Sequence, residues 1–406
     1  MVKPERRTKG DLLAAAAIAV VVAATASLIW WTSDARATIS RPAATPAPNP
    51  SLAREVPASL KQLWTAASSA TTAPVIVGGT VTTGDGREVD GRDPGTGQTR
   101  WSYARDRDLC GLSWVYHYAV AVYHDDRGCG QVSTIDGSTG RRGATRSSYA
   151  DPQVRLSSDG TTVLSVGDTR LELWRSDMVR MLSYGETDAR VKPSSRGLHS
   201  GCKLASAAAS SLAVSVLESC ANQADLRLAL LRPGKEDDEP QQHLVAEPGI
   251  GVNSGARVLT VWESNTAVYL PGISGAQPRV DVIDEMGTKV ASTLLPKAPS
   301  NSAVSQAGNL VTWWTGDSVL VFEASNLNLR YTIAAGGPTV PLGPGTMMAG
   351  KLLIPVTGAI GVYDPLTGAI ERYIPVNRTP SNDAVIPAVS GSRVFEQRGD
   401  TVVALG

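Results

Sequence analysis

The sequence predicts an all-β fold, an eight-bladed β-propeller preceded by an N-terminal transmembrane helix, and three observations carry that prediction. Leu12 to Trp31 is a run of twenty residues without a charge. From roughly residue 60 the pattern changes to short alternating apolar runs rich in Val, Thr and Leu, broken by Gly, Asp and Pro, with no helical stripe. Within that region an apolar strand, a polar residue and a turn recur at intervals of roughly 45 residues, the length of one four-stranded blade.

The first element, residues 1–11, is a tail carrying Lys3, Arg6, Arg7 and Lys9. As a helix, the apolar run 12–31 is about 30 Å long at ~1.5 Å per residue, which matches the hydrocarbon thickness of a bilayer. Basic residues before it and Trp30 and Trp31 at its far end predict a single-pass anchor in the cell membrane, with the N-terminus cytoplasmic and the remainder outside. A cleaved signal peptide is the alternative reading, because residues 35–37 spell Ala-Arg-Ala. Residues 32–58 carry Pro42, Pro46, Pro48, Pro50 and Pro57 among Ala, Ser and Thr. Such a tract is expected to be an extended spacer that holds the following domain, residues 59–406, away from the membrane.

The recurring strands end at Asp93, Asp136, Arg175, Arg232, Asp284, Glu323, Asp364 and Gly406. Each is followed by another strand except the last, whereas the strand at 60–67 precedes the first unit and has no blade of its own. Pairing that leading strand into the final blade closes a ring and removes an exposed sheet edge. The count is then eight, with seven as the alternative because the third to fifth units are irregular. After Asp93, Asp136 and Asp364 come turns ending in Gly97, Gly140 and Gly368. The acid can accept hydrogen bonds from the turn amides, and glycine permits the positive φ such a turn needs.

Asp93, Gly97 and Trp101, each four residues apart after an apolar strand, resemble the blade motif of the pyrroloquinoline-quinone-like propeller superfamily. In that family the Trp docks between neighbouring blades. Here Ala144 and Arg372 replace it after Asp136 and Asp364, and Asp284 keeps only the acid. The resemblance covers roughly residues 60–406 and implies the fold. The quinone enzymes of the superfamily hold their cofactor with adjacent cysteines, a calcium-binding Glu/Asn set and an Asp base. No adjacent cysteine pair occurs here, so no quinone or other cofactor is expected. The whole chain is also similar to membrane-anchored propellers of actinobacteria. Some propellers of mycolate-bearing bacteria work alongside envelope lipid transport, and a Gram-negative propeller lipoprotein is a scaffold for outer-membrane protein assembly.

Cys110 and Cys129 lie 19 residues apart, and Cys202 and Cys220 lie 18 apart. An even count, similar spacing and an extracytoplasmic position favour two local disulfides. A zinc site is the competing reading, but His117, His124, His199 and His243 form no cluster with them, so no metal is expected. His124 and Asp125 could ligate calcium or act as an acid-base pair, or they could be a polar hairpin turn. Trp313 and Trp314 are adjacent in a strand and so face opposite sides; either one contacts a ligand or both pack between blades.

Lys plus Arg and Asp plus Glu both number 38, and no long basic block occurs, which argues against a nucleic-acid partner. Neither a Gly-x-Ser-x-Gly elbow nor a phosphate loop is present. The expected role is therefore a non-catalytic binding or scaffold module of the cell envelope, with envelope proteins or lipids as partners. A carrier of an envelope glycolipid or small ligand is the second reading, and a quinone-dependent dehydrogenase the third.

Overall fold

Central strands and outer strands bury their residues differently, and that difference explains the architecture. Leu310–Trp314 and Ala359–Tyr363 are buried at every position. Arg142–Ser147 and Lys289–Leu294, by contrast, half-bury only alternate residues. A strand read as continuously apolar must be covered on both faces. The computed structural model describes residues 8–187, 200–221, 223, 225–273, 275–336 and 339–406. In it, eight antiparallel sheets stand around one axis as an eight-bladed propeller, each sandwiched between its neighbours. Lys3, Arg6 and Arg7 of the expected cytoplasmic tail lie outside the described residues, as does His199.

In chain order the blades span residues 75–104, 109–147, 155–185, 202–251, 257–294, 303–333, 346–375 and 385–405. Every recurring strand recognised in the sequence is the third of its blade, from Glu88–Arg92 in blade 1 to Thr401–Leu405 in blade 8. Blade 8 takes its fourth strand from Gln62–Ala67, with Gln62 opposite Leu405 and Ala67 opposite Thr401. The ring therefore closes by the route the missing strand implied. Its apolar core is divided into wedges between blades. Tyr269, Val280 and Val282 of blade 5, for example, pack on Trp313, Leu320 and Phe322 of blade 6.

Ahead of the ring, helix Lys9–Trp31 is long and apolar enough to cross a membrane. It begins one turn before the uncharged run because Thr8 caps it: the Asp11 amide donates to Thr8 Oγ1 at 3.3 Å and the Thr8 amide donates to Asp11 Oδ2 at 2.8 Å. Such a helix fits an anchor or a signal sequence, and two disulfides fit an extracytoplasmic domain.

The expected spacer is not a free spacer. Ile39–Arg41 joins blade 1 as a fifth strand, antiparallel to Thr99–Ala104, with Ile39 opposite Ala104. The amides of Ala43 and Ala47 then donate to the carbonyls of Thr139 and Ser138 in blade 2. Pro48 lies so close to Gly79 that a Cβ there would stand 2.3 Å from the Pro48 oxygen. Further on, Val56 and Leu60 enter the core between blades 7 and 8, and Arg372 donates to the Val56 carbonyl at 2.7 Å. Prolines leave an extended backbone with few donors. Here that backbone is laid across the propeller as a strap on blades 1, 2, 7 and 8.

Antiparallel order puts the turns between first and second strands, and between third and fourth strands, on one face of the ring. The strap crosses this face, called the strap face below. The turns between second and third strands and the connections between blades form the opposite face.

Candidate functional site

The strap face is built from the acid–glycine turns. Asp93 Oδ1 accepts the amides of Gly95 and Thr96 at 2.9 and 3.0 Å, and Gly97 takes φ +72°. Asp136 does the same for Ser138 and Thr139, with Gly140 at φ +72°, and Asp364 for Leu366 and Thr367, with Gly368 at φ +73°. Asp284 makes a shorter turn, accepting from Met286 and Thr288 with Gly287 at φ +77°. Partial burial pushes the Asp93 and Asp136 carboxyls up, but the turn amides and, at Asp136, the hydroxyls of Ser138 and Thr139 outweigh it. Both carboxyls are held below the usual carboxylate range. These acids are spent on turns.

Trp101 does not brace the turn of its own motif. Its ring, 1% exposed, lies against Gly140 of blade 2, and its Nε1 donates to the Gly137 carbonyl at 2.7 Å. Trp64 of blade 8 lies in the same way on Gly97, donating to the Pro94 carbonyl, and Tyr331 of blade 6 lies on Gly368, donating to the Pro365 carbonyl. The acid and glycine of one blade thus receive the aromatic ring of the blade before it. Ala144 and Arg372 are not failures of the turns they follow. Ala144 packs beside Met178 of blade 3, and Arg372 binds the strap.

Other expected site residues are placed apart. Cys110–Cys129 and Cys202–Cys220 are disulfides within blades 2 and 4. Asp125 is 8% exposed, and its oxygens accept from the Arg127 amide at 2.8 Å and Gln131 Nε2 at 2.6 Å; His124 turns outward to solvent. The pair lies on the opposite face as a hairpin turn and is not assembled for ligation or proton transfer. Trp313 and Trp314 are 0% and 4% exposed and donate to Ser302 Oγ and the Pro341 carbonyl, both at 2.8 Å. Neither is available to a ligand, because in a propeller both faces of a central strand are covered by neighbouring blades.

Two features of the strap face do present themselves to other molecules. The first is a set of exposed apolar side chains on its turns: Tyr116, Val179, Leu212, Met286 and Leu366 from five blades, and Leu52 of the strap. Ion pairs are exposed on both faces, Arg175 with Asp177 on the strap face and Arg87 with Asp106 and Asp108, and Lys297 with Asp317, on the opposite one, which also exposes Val252. The second is the mouth of the axial channel, which runs from this face to the connection at Thr72 and Pro74 on the opposite one. Two adjoining cavities of about 630 and 460 Å³ share Ser157–Asp159 and Val304–Gln306, and together they are lined from all eight blades. Trp114 and Asp159 line the first, and Trp262 and Glu263 the second. No Lys, Arg or His lines either one.

No protein-family model matches the sequence, and no curated protein does. Solved structures do. The chain is similar to BamB from Moraxella catarrhalis, at 14% identity over 85% of this chain and 99% of that one, with TM-score 0.49. It is also similar to the C-terminal WD40 domain of Sif2, at 12% identity over 86% and 98% with TM-score 0.50, and to Sqt1 from Saccharomyces cerevisiae, at 11% over 88% and 98% with TM-score 0.50. The likeness is one of fold.

Trp114 and Trp262 are presented to the channel although no motif of the sequence marks them. A signal was available. Counting back two strands from Asp136 and Asp284 places each Trp on a first strand, which faces the axis.

Proposed function

We propose that this chain is a non-catalytic binding or scaffold module, anchored by helix Lys9–Trp31 in the cytoplasmic membrane with the propeller on the outer side, where it holds envelope proteins. The observation that carries this reading is that strap-face turns of five blades each expose a large apolar side chain, Tyr116, Val179, Leu212, Met286 and Leu366. Exposed apolar side chains gathered from several rigid turns are what a protein-binding surface offers, since a soluble domain otherwise keeps such side chains apart. His124 is exposed while Asp125 is buried and bonded to the Arg127 amide and Gln131, so the two do not form an acid-base pair.

The strap bears on geometry. Only residues 32–38 separate the helix from Ile39, at most roughly 25 Å when fully extended. Because Ile39 lies beside Ala104, at the end of blade 1 nearest the opposite face, this reading turns the opposite face toward the membrane and the strap face away from it.

Site-specific photo-crosslinkers placed at Leu366 and Met286, with controls at Asp126 and Arg127, test this in cells of the source organism. Discrete adducts from the first pair alone are expected. Adducts of equal yield from both faces, or from neither, would overturn the reading.

A further inference from the structure

The seven tryptophans of the propeller fall into two sets by what their indole nitrogens do. Trp64, Trp101, Trp174, Trp313 and Trp314 each donate to a protein acceptor, at 2.7 to 3.2 Å. Trp114 and Trp262 are half-buried, line the channel, and have no hydrogen-bond partner among the described residues. A buried indole normally finds an acceptor, so the first set is satisfied by folding and the second is left for something else.

The surroundings narrow what that is. Trp114 pairs with Ala119 next to the first turn of blade 2, and Trp262 pairs with Asn265 next to the first turn of blade 5, so both stand at the strap-face mouth. They are three blades apart around the ring. Asp159, in the corresponding turn of blade 3, uses Oδ1 to accept the amides of Thr161 and Thr162 at 2.8 and 2.7 Å, while its Oδ2 has no partner among the described residues. Glu263 is exposed, and its carboxylate likewise makes no described hydrogen bond. Hydroxyls of Ser157, Ser158 and Ser305 line the wall between the two tryptophans.

Each feature removes a class of ligand. With no cationic side chain in the lining, phosphate, sulfate and carboxylate groups would meet only like charge. A compact cation would want aromatic faces gathered into one cage, and these two rings are on separate sides of the mouth. A purely apolar chain would offer nothing to the two carboxylates or to the Ser157 hydroxyl, whereas Ser158 and Ser305 already donate to the Thr162 and Gln306 carbonyls. An elongated, uncharged polyol fits all of them: its C–H faces lie on the indoles, and its hydroxyls donate to the carboxylates and accept from the indole N–H groups and Ser157.

The geometry points to a saccharide-binding site at the strap-face mouth of the axial channel, in which Trp114 and Trp262 are stacking platforms and Asp159 and Glu263 accept from the hydroxyls of a neutral oligosaccharide. This site stands apart from the scaffold reading, because a protein-docking rim and a saccharide-holding mouth can each exist without the other.

The test uses the full chain in lipid nanodiscs, free of glycoside detergents. Chitotriose, maltotriose and mannotriose are the probes, spermidine is the cationic comparison, and binding is read by saturation-transfer NMR and tryptophan fluorescence. At least one trisaccharide is expected to bind saturably in the millimolar range or tighter. Trp262→Ala and Trp114→Ala should each weaken it by about tenfold or more, and Trp262→Phe should keep part of the affinity. Glu263→Gln should weaken binding without moving the melting temperature, since that side chain makes no described contact. The inference is overturned if no trisaccharide saturates by about 50 mM, a level at which no useful site would remain empty. It is equally overturned if spermidine binds and the sugars do not, or if sugars bind the tryptophan variants as well as the parent.

Discussion

Gly140 offers a direct measure of how much the aromatic brace between blades contributes, because Gly86 provides a matched control. Both have positive φ, +72° and +57°, so alanine at either position carries the left-handed penalty of roughly 1–2 kcal/mol. At Gly86 a new Cβ meets nothing within 4 Å. At Gly140 it would stand 2.4 Å from the Cβ of Trp101, which is fully buried and held by its hydrogen bond to Gly137. Such overpacking adds about 1–3 kcal/mol. Gly140→Ala should therefore lose about 2 kcal/mol more than Gly86→Ala, in urea unfolding of the full chain followed by circular dichroism. Trp101→Ala itself should cost ~3–5 kcal/mol as a large cavity. The Gly137 carbonyl is not orphaned by that change, since Thr80 Oγ1 also donates to it at 3.0 Å. In the Trp101→Ala background the excess penalty at Gly140 should vanish. Equal losses at the two glycines, or an excess that persists without Trp101, would refute the brace.

Three further outcomes are expected. Replacing Cys110 and Cys129, or Cys202 and Cys220, by serine should lower stability by about 3 kcal/mol per pair through the freed unfolded chain, read as a fall in melting temperature that dithiothreitol reproduces in the parent. Burial alone would raise the Glu172 carboxyl, but Arg170, Arg146, the Trp174 N–H and Arg180 outweigh it and hold its pKa down to about 2. Its contribution is therefore complete above the ordinary carboxylate pKa and lost as pH falls from about 4.5 toward 2, a loss of roughly 3 kcal/mol that should be missing from the acid unfolding curve of Glu172→Gln. Deleting Thr401–Gly406 removes Val402, Val403 and Leu405, all buried, and strips the pairing partner of Gln62–Ala67. At ~1.5–3 kcal/mol for each large side chain this approaches the whole stability of a domain, so native-like protease resistance should disappear; its survival would refute ring closure.

What could be read in the sequence was local or followed from counting. The turn at Asp93 is made by contacts reaching no further than Gly97 and Gln98, so residue types four positions apart were enough to announce it. Eight recurring strands and one unclaimed strand at 60–67 then required a ring, because an unpaired edge is costly. The disulfides were legible for the same reason, each joining cysteines within one blade. By contrast, Trp101 meets Gly140 and Trp64 meets Gly97, partners more than thirty residues apart, so the spacing within one motif could not name which turn each ring meets. Adjacency left open whether one tryptophan contacts a ligand or both pack between blades; Trp313 faces blade 5 and Trp314 faces blade 7.

The sequence by itself determined the repeat, the order of strands and the apolar helix, since each depends on side chains and backbone within a few residues or on the pairing demands of an open edge, while the structure decided between eight blades and seven. Only the tertiary structure decided which side chains are left uncovered. Trp114 and Trp262 differ from Trp313 and Trp314 by lying on the strand nearest the axis, where neighbouring blades cover them only in part, as Gly160 of blade 3 does Trp114. Residues 39–60 likewise became a strap because edges and turns of four blades offered partners that no local pattern could reveal.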